Sequence, residues 1–275
     1  MPVNGQSVVV VMPAYNAART LAATVGLIPR DVVDHLVLVD DGSRDATVAV
    51  ARELGLDVVQ HFHNAGYGAN QKTCYSTALQ LGADIVVMLH PDGQYDPRLI
   101  PDLAAPIAEG RADIVLGSRM MTPGGARAGG MPAWKRVVNR ALTTVENAAL
   151  SADLSEAHTG YRAYSRSFLE SIPWRRNDDG FVFDTQMIFQ AHAFGQRLVE
   201  VPIRTVYEQD SSNISFAHSV EYGLETLGVA ARYALWRRTG AFSRLFGTRR
   251  PPAREPGPGD PRRGPGPQPR GAADR

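Results

Sequence analysis

A chain of 275 residues, with 44% hydrophobic and 21% charged residues, is long enough for one large domain or two small ones with a sizeable core. Its formal net charge of +1 excludes the strongly basic balance of a nucleic-acid binder, so attraction to phosphate must come from local arginine clusters. A lone cysteine, Cys74, excludes an internal disulfide, fits a reducing cytoplasm and reads as packing on a helix.

No basic stretch followed by a long apolar core opens the chain, and nowhere do about 18 apolar residues run together, so neither a signal peptide nor a spanning helix is expected. In chain order, short apolar runs at Val8–Met12, Leu36–Asp40, Val58–His61, Ile85–Leu89 and Ile114–Gly117 predict strands buried on both faces. Helical spacing fills the gaps at Ala17–Ile28, Thr47–Leu54, Gly68–Leu81 and Leu99–Glu109, with Ser43 and Asp45 as candidate caps before Thr47. This alternation predicts an α/β fold, a mostly parallel Rossmann-like sheet with flanking helices.

Thr122–Met131 is glycine-rich and predicts a mobile loop, and a helix follows from about Trp134 to Leu150. Beyond it, Val182–Ala193 reads as helix, and Leu198–Val201 with Ile203–Tyr207 as strand. From Ser219 to Arg238, Val220, Leu224, Leu227, Ala231 and Leu235 recur at amphipathic helical spacing. The expected organisation is a catalytic domain over 1–215, an amphipathic helical segment over 216–248 and a disordered Pro/Gly/Arg tail over 249–275.

In parallel sheets ligands bind beyond the carboxyl ends of the strands. Pro13-Ala14-Tyr15-Asn16, Asp40-Asp41-Gly42-Ser43 and His90-Pro91-Asp92-Gly93-Gln94 follow three predicted strands and should share one rim. The acidic pair could accept hydrogen bonds from a nucleobase or ribose, or could serve only as a capped turn. Asp92 and Gln94 offer hard oxygen ligands two residues apart, with His90 adding a nitrogen, so a divalent ion could bridge the protein to a diphosphate. A turn capped by Asp92 is the plainer alternative. Arg119, closing Gly117-Ser118-Arg119, could clamp a phosphate or form a surface ion pair. Asn64 and Gly66, in Asn64-Ala-Gly-Tyr-Gly68, precede a helix where glycines permit close approach to a ligand, although the Gly-Lys-Ser/Thr ending of a P-loop is absent.

Together these motifs, with His158-Thr-Gly-Tyr-Arg162 and Glu200-Val-Pro-Ile203, resemble the family-2 glycosyltransferases of GT-A fold, and within them the dolichyl- or polyprenyl-phosphate sugar synthases. The resemblance spans roughly residues 8 to 240. It implies that Pro13, Tyr15, Asn16, Asp40, Asp41, Ser43, Asn64 and Gly66 line the donor pocket. It implies Mg²⁺ or Mn²⁺ as cofactor, held by Asp92 and Gln94. Where the family carries Asp-x-Asp, this chain has His90-x-Asp92, a change that favours Mn²⁺. Ala17 stands where relatives often carry a glutamate.

An acceptor phosphate is already an anion and needs cations, whereas an acceptor hydroxyl needs a base. Arg119, Arg127, Lys135, Arg136, Arg140 and Arg162 form a cationic series; the resemblance assigns the acceptor phosphate to Arg119 and Arg136, with Arg162 beside them. Lys135, Arg136 and Arg140 read equally as a solvated helix face. Asp184 is the candidate base for a hydroxyl acceptor, or a cap of its helix. The aromatic and basic end at Trp236–Phe246 suits a membrane interface. The leading expectation is inverting transfer of a hexose-like sugar from a UDP- or GDP-sugar to a polyprenyl phosphate, at the cytoplasmic face of a membrane. Transfer to a polysaccharide or small-molecule hydroxyl with Asp184 as base is the alternative, and a scaffold that binds donor without turnover is a third.

Overall fold

The computed structural model describes residues 3–205 and 216–248. Seven strands form one sheet among these residues: β1 (Val8–Ala14), β2 (His35–Asp40), β3 (Asp57–Gln60), β4 (Ile85–Met88), β5 (Ile114–Ser118), β6 (Arg162–Ser165) and β7 (Leu198–Pro202). Their order is β3-β2-β1-β4-β6-β5-β7. All pairings are parallel except those of β6, which runs antiparallel between β4 and β5.

Alternation along the strands sends side chains to two cores, as a sheet covered on both faces requires. Val8, Val10, Leu38 and Val87 pack against α1 (Ala18–Gly26), α2 (Thr47–Glu53) and α4 (Ile100–Ala108). Val9, Val37, Val86 and Met88 meet α3 (Tyr67–Gln80), α8 (Phe183–Ala193) and α9 (Phe216–Thr239). The remaining helices are α5 (Gly125–Ala128), α6 (Ala133–Leu150) and α7 (Arg166–Ser171). Cys74 is buried on α3, and burial pushes its thiol up, so it packs rather than reacts.

The α/β expectation and its strand–helix alternation hold, with four corrections. β6 was not anticipated, because Arg162 breaks its apolar pattern. Within Thr122–Met131 the chain forms the short helix α5. Ile203 and Arg204 are not strand; Thr205 makes a lone bridge to Tyr95, and residues 206–207 lie outside the described ones. The fourth concerns α9. Tyr233, Trp236 and Phe246 are buried in the core, whereas the stripe of Val220, Leu224, Leu227 and Leu235 is exposed. The 216–248 segment is therefore built into the body of the fold. The tail expected over 249–275 lies outside the described residues. No described helix is long and apolar enough to cross a membrane.

Leu38, wholly buried in β2, is a direct probe of this core. Leu38→Ala is expected to lower unfolding free energy by about 2–5 kcal/mol, read as a lower denaturation midpoint at unchanged slope.

Candidate active site at the carboxyl ends of the strands

β1 ends at Pro13-Ala14 and pairs there only with β2, since its ladder to β4 stops at Val11. A missing N–H is tolerated at such a position. Beyond it, Tyr15 is half exposed and Asn16 adopts a positive φ of 53°. Asn16 ties two rim loops together: its N–H donates to Ser43 Oγ at 2.8 Å, and its Oδ1 accepts from the Arg44 N–H at 2.9 Å. Ser43 is therefore a loop tether. The helix after it has Ala46 at its N-cap without a side-chain cap, and Asp45 accepts from the Thr47 N–H at 3.0 Å.

The adjacent carboxylates divide their work. Asp41 accepts from His61 Nδ1 at 2.8 Å and from the N–H groups of Ala65 and Gly66 at 2.9 and 3.1 Å, fixing the 61–66 loop. Asp40 is fully buried, and its Oδ2 accepts from the Ser43 N–H at 3.1 Å. Its Oδ1 has no hydrogen-bond partner in the protein. A buried oxygen left this way is costly unless a ligand or water meets it. Asn64 is exposed beside them. Gly66 has φ +103°, and a Cβ there would stand 2.6 Å from the Asp179 carbonyl oxygen. Its glycine requirement thus comes from the chain's own 178–180 segment rather than from a ligand.

The turn after β4 carries His90, Asp92 and Gln94. Asp92 Oδ1 accepts from the Gln94 N–H at 3.0 Å, so the carboxylate shapes its own turn. His90 stacks on Tyr67 with ring centroids 5.7 Å apart and planes 12° from parallel. A Cβ at Gly160 would stand 2.6 Å from His90 Nε2, so Gly160 makes room for the ring. Burial pushes the His90 pKa down, with Arg162 acting the same way against Asp92 and Asp184. The ring is thereby neutral near pH 7, as a metal ligand must be. Among the described residues no three of His, Cys, Asp and Glu gather as a metal cage. One carboxylate with a neighbouring imidazole fits a hard divalent ion that takes most of its ligands from diphosphate and water.

The arginines are held from inside. Arg119 is nearly buried, and its Nε donates to Glu156 Oε1 at 2.8 Å while a terminal nitrogen reaches both Glu156 and the His158 carbonyl. Glu156 also accepts from Asn139 Nδ2 at 2.9 Å, and its backbone N–H donates to Glu200. Arg136 donates to the Met131 carbonyl at 2.5 Å, bracing the start of α6. Arg162 has no exposed surface. Its guanidinium donates to the carbonyls of Thr159, Asp184 and Ala157 at 2.7, 3.0 and 3.1 Å, and lies 3.6 Å from the Asp184 carboxylate. That placement faces protein acceptors, and the guanidinium has no surface open to the rim.

Asp184 accepts from the Tyr67 hydroxyl at 2.8 Å and Gln71 Nε2 at 3.0 Å, and Tyr67 also lies 3.3 Å from His90 Nε2. Tyr67, Gln71 and Glu156 thus join the site without having been singled out in the sequence. Their signal there is faint. Tyr67 sits between two glycines that drew the eye, and Glu156 is a lone acid. Glu156→Ala would remove the carboxylate that the buried Arg119 guanidinium grips; a loss of about 3–5 kcal/mol is expected, checked by denaturant unfolding.

The family model for glycosyl transferase family 2 matches residues 9–172. The chain is 33% identical to polyprenol monophosphomannose synthase of Mycolicibacterium smegmatis, over 72% of this chain and 77% of that protein. It is 26% identical to UDP-N-acetylglucosamine–dolichyl-phosphate N-acetylglucosaminyltransferase of Methanococcus voltae, over 78% of this chain and 93% of that protein. Its fold matches glucosyl-3-phosphoglycerate synthase from Mycobacterium tuberculosis, solved with Mn²⁺, UDP-glucose and phosphoglyceric acid, at a TM-score of 0.64 and 21% identity, covering 87% of this chain and 83% of that one.

Proposed function

We propose that this chain, which belongs to glycosyl transferase family 2 and is a nucleotide-sugar glycosyltransferase, moves a hexose-like sugar from a UDP- or GDP-sugar to a polyprenyl phosphate with inversion, working at a membrane surface. The names of two relatives supply the acceptor class. The observation that favours it over a hydroxyl acceptor is the state of Asp184. Tyr67 and Gln71 each donate to one of its two oxygens and Arg162 stands beside it. At 7% exposure the carboxylate is turned to groups of the fold and keeps little access to an incoming group. A general base needs a lone pair aimed at the incoming hydroxyl. An anionic phosphate needs none.

On the donor side, Asp40 Oδ1 is the group we assign to the nucleoside, with Tyr15 and Asn64 beside it. Asp92, with His90 and Gln94, would hold Mg²⁺ or Mn²⁺. When bound, the ion neutralises charge on the departing diphosphate. Arg119, fixed by Glu156, and Arg136 supply positive charge on the acceptor side; Arg162 acts by holding Asp184 and the 157–159 loop rather than by touching the acceptor. The twice-engaged Asp184 then orients Tyr67 against His90.

Labelled UDP- and GDP-sugars incubated with Mn²⁺ and a short polyprenyl phosphate should yield a lipid-linked sugar. No product across several donors would sink the proposal. Chelation with EDTA and Asp92→Asn should each reduce transfer by at least about a hundredfold. Asp184→Asn separates the acceptors: a loss of about tenfold or less is expected here, whereas removal of a general base would cost about 10²–10⁴-fold, compared at a temperature where the variant, destabilised by leaving Arg162 without its carboxylate, is still folded.

A further inference from the structure

The apolar stripe exposed on α9 has a neighbour. On α6, Trp134, Val137, Val138 and Val145 are exposed, and on α9 so are Val220, Leu224, Leu227 and Leu235, each between 41% and 69% accessible. The spacing puts each set on one helix face. The two helices pack together: Arg237 donates to the Ala149 carbonyl at 3.1 Å and to Ser151 Oγ at 3.3 Å. Opposite its stripe each helix is buried, through Asn139, Thr143 and Glu146 on α6 and Thr226, Val229 and Tyr233 on α9. Both stripes therefore point outward from one two-helix layer.

Patches of contiguous apolar surface mark contact sites. The charges carried by the same two helices select the occupant. The single acid of α6, Glu146, is buried, while Lys135, Arg136 and Arg140 lie along the same helix. Arg232, Arg237 and Arg238 crowd the carboxyl-terminal half of α9; Glu221 and Glu225 stand at its other end, where Glu225 feels Asp178. Aliphatic stripes with a tryptophan and a basic margin match helices that lie in the headgroup region of an anionic bilayer. We propose that the α6–α9 face is the surface on which this protein docks to anionic lipid. The choice of a membrane as occupant rests in part on the lipid-phosphate acceptor proposed above. Through Asn139 the same α6 grips Glu156, and through it Arg119, so docking would bring the acceptor's headgroup to the cationic side of the site.

Flotation of the full chain with vesicles of phosphatidylcholine alone, or of phosphatidylcholine and phosphatidylglycerol, tests the proposal. The chain should float with the anionic vesicles and weakly or not at all with the neutral ones. Leu224→Glu/Leu227→Glu should bind them at least about tenfold more weakly, with unchanged melting temperature because both side chains are exposed. Leu27→Glu, at an exposed site on the end of α1, should float as the parent does. The idea is overturned if the parent does not float, if the double variant floats like it, or if the lipid-free protein is a dimer that the double variant splits. With a water-soluble short-chain acceptor the double variant should retain transfer, losing it only on vesicle-borne acceptor. Vesicle binding without transfer to any acceptor upholds the surface and counts against the transfer reading alone.

Discussion

Arg162 is a full positive charge with no exposed surface, in the one strand that runs against the rest of the sheet. Burial alone would lower its pKa, but Asp184, with Tyr164 and Tyr67, holds it above its ordinary value. A charge so placed must be answered by protein groups, because bringing an ion out of water costs several kcal/mol even after relaxation. The answers come from separate elements. Ala157 and Thr159 lie on the loop before β6, Asp184 opens α8, and Asp184 in turn draws Tyr67 and Gln71 from α3. Tyr67 then carries His90 on its ring. One ion pair thereby sets the relative position of the rim turn after β4 and the helices behind it.

The two sides of the rim solve the same problem with different chemistry. Beyond β1 and β2 the loops are laced by side-chain to backbone hydrogen bonds, Asn16 with Ser43 and Arg44, and Asp41 with the 61–66 loop. Neutral or singly charged partners suffice there, since the loops lie at the surface. Among the described residues of these loops, Asp40 keeps a buried oxygen without a protein partner, which costs free energy unless water or a ligand meets it. Beyond β5, Arg119 is anchored by a chain of carboxylates, Glu200 holding the backbone of 155–156 and Glu156 holding Arg119. Glu156 thereby removes the rotamer freedom of a long side chain.

Much of this was legible in the sequence where the cause is local. Buried parallel strands announce themselves as apolar runs, and the turn residues after them can be read in order, so β1 to β5 and the rim fell into place. Roles set by partners far along the chain could not be read the same way. Arg119 reads in the sequence as a phosphate clamp or a surface ion pair, and the partner that fixes it, Glu156, stands 37 residues on. Arg162 looks like a ligand group until its strand is seen to be internal. Asp40 and Asp41 are identical in composition and adjacent, and only the reach of the 61–66 loop tells them apart. Gly66 and Gly68 read as sites of close approach to a ligand, and the backbone that lies against both is the chain's own 178–180.

The α9 helix shows why periodicity alone misleads. Its sequence holds two apolar faces, an aliphatic one through Leu224 and an aromatic one through Tyr233 and Trp236, and the hydrophobic pattern weights them alike. Packing discriminates by shape and hydrogen bonding. Tyr233 meets Phe189, Trp236 and Phe246, and its hydroxyl lies 2.6 Å from His192 Nδ1, while the Trp236 indole donates to the Gly247 carbonyl. Aromatic residues with a polar handle are the ones a core with buried carbonyls and imidazoles can satisfy, and the aliphatic stripe has no such claim on the interior. A helix with two apolar faces can bury only one against its own domain. The other is left outward beside the stripe of α6, and its removal from water then depends on something outside the fold.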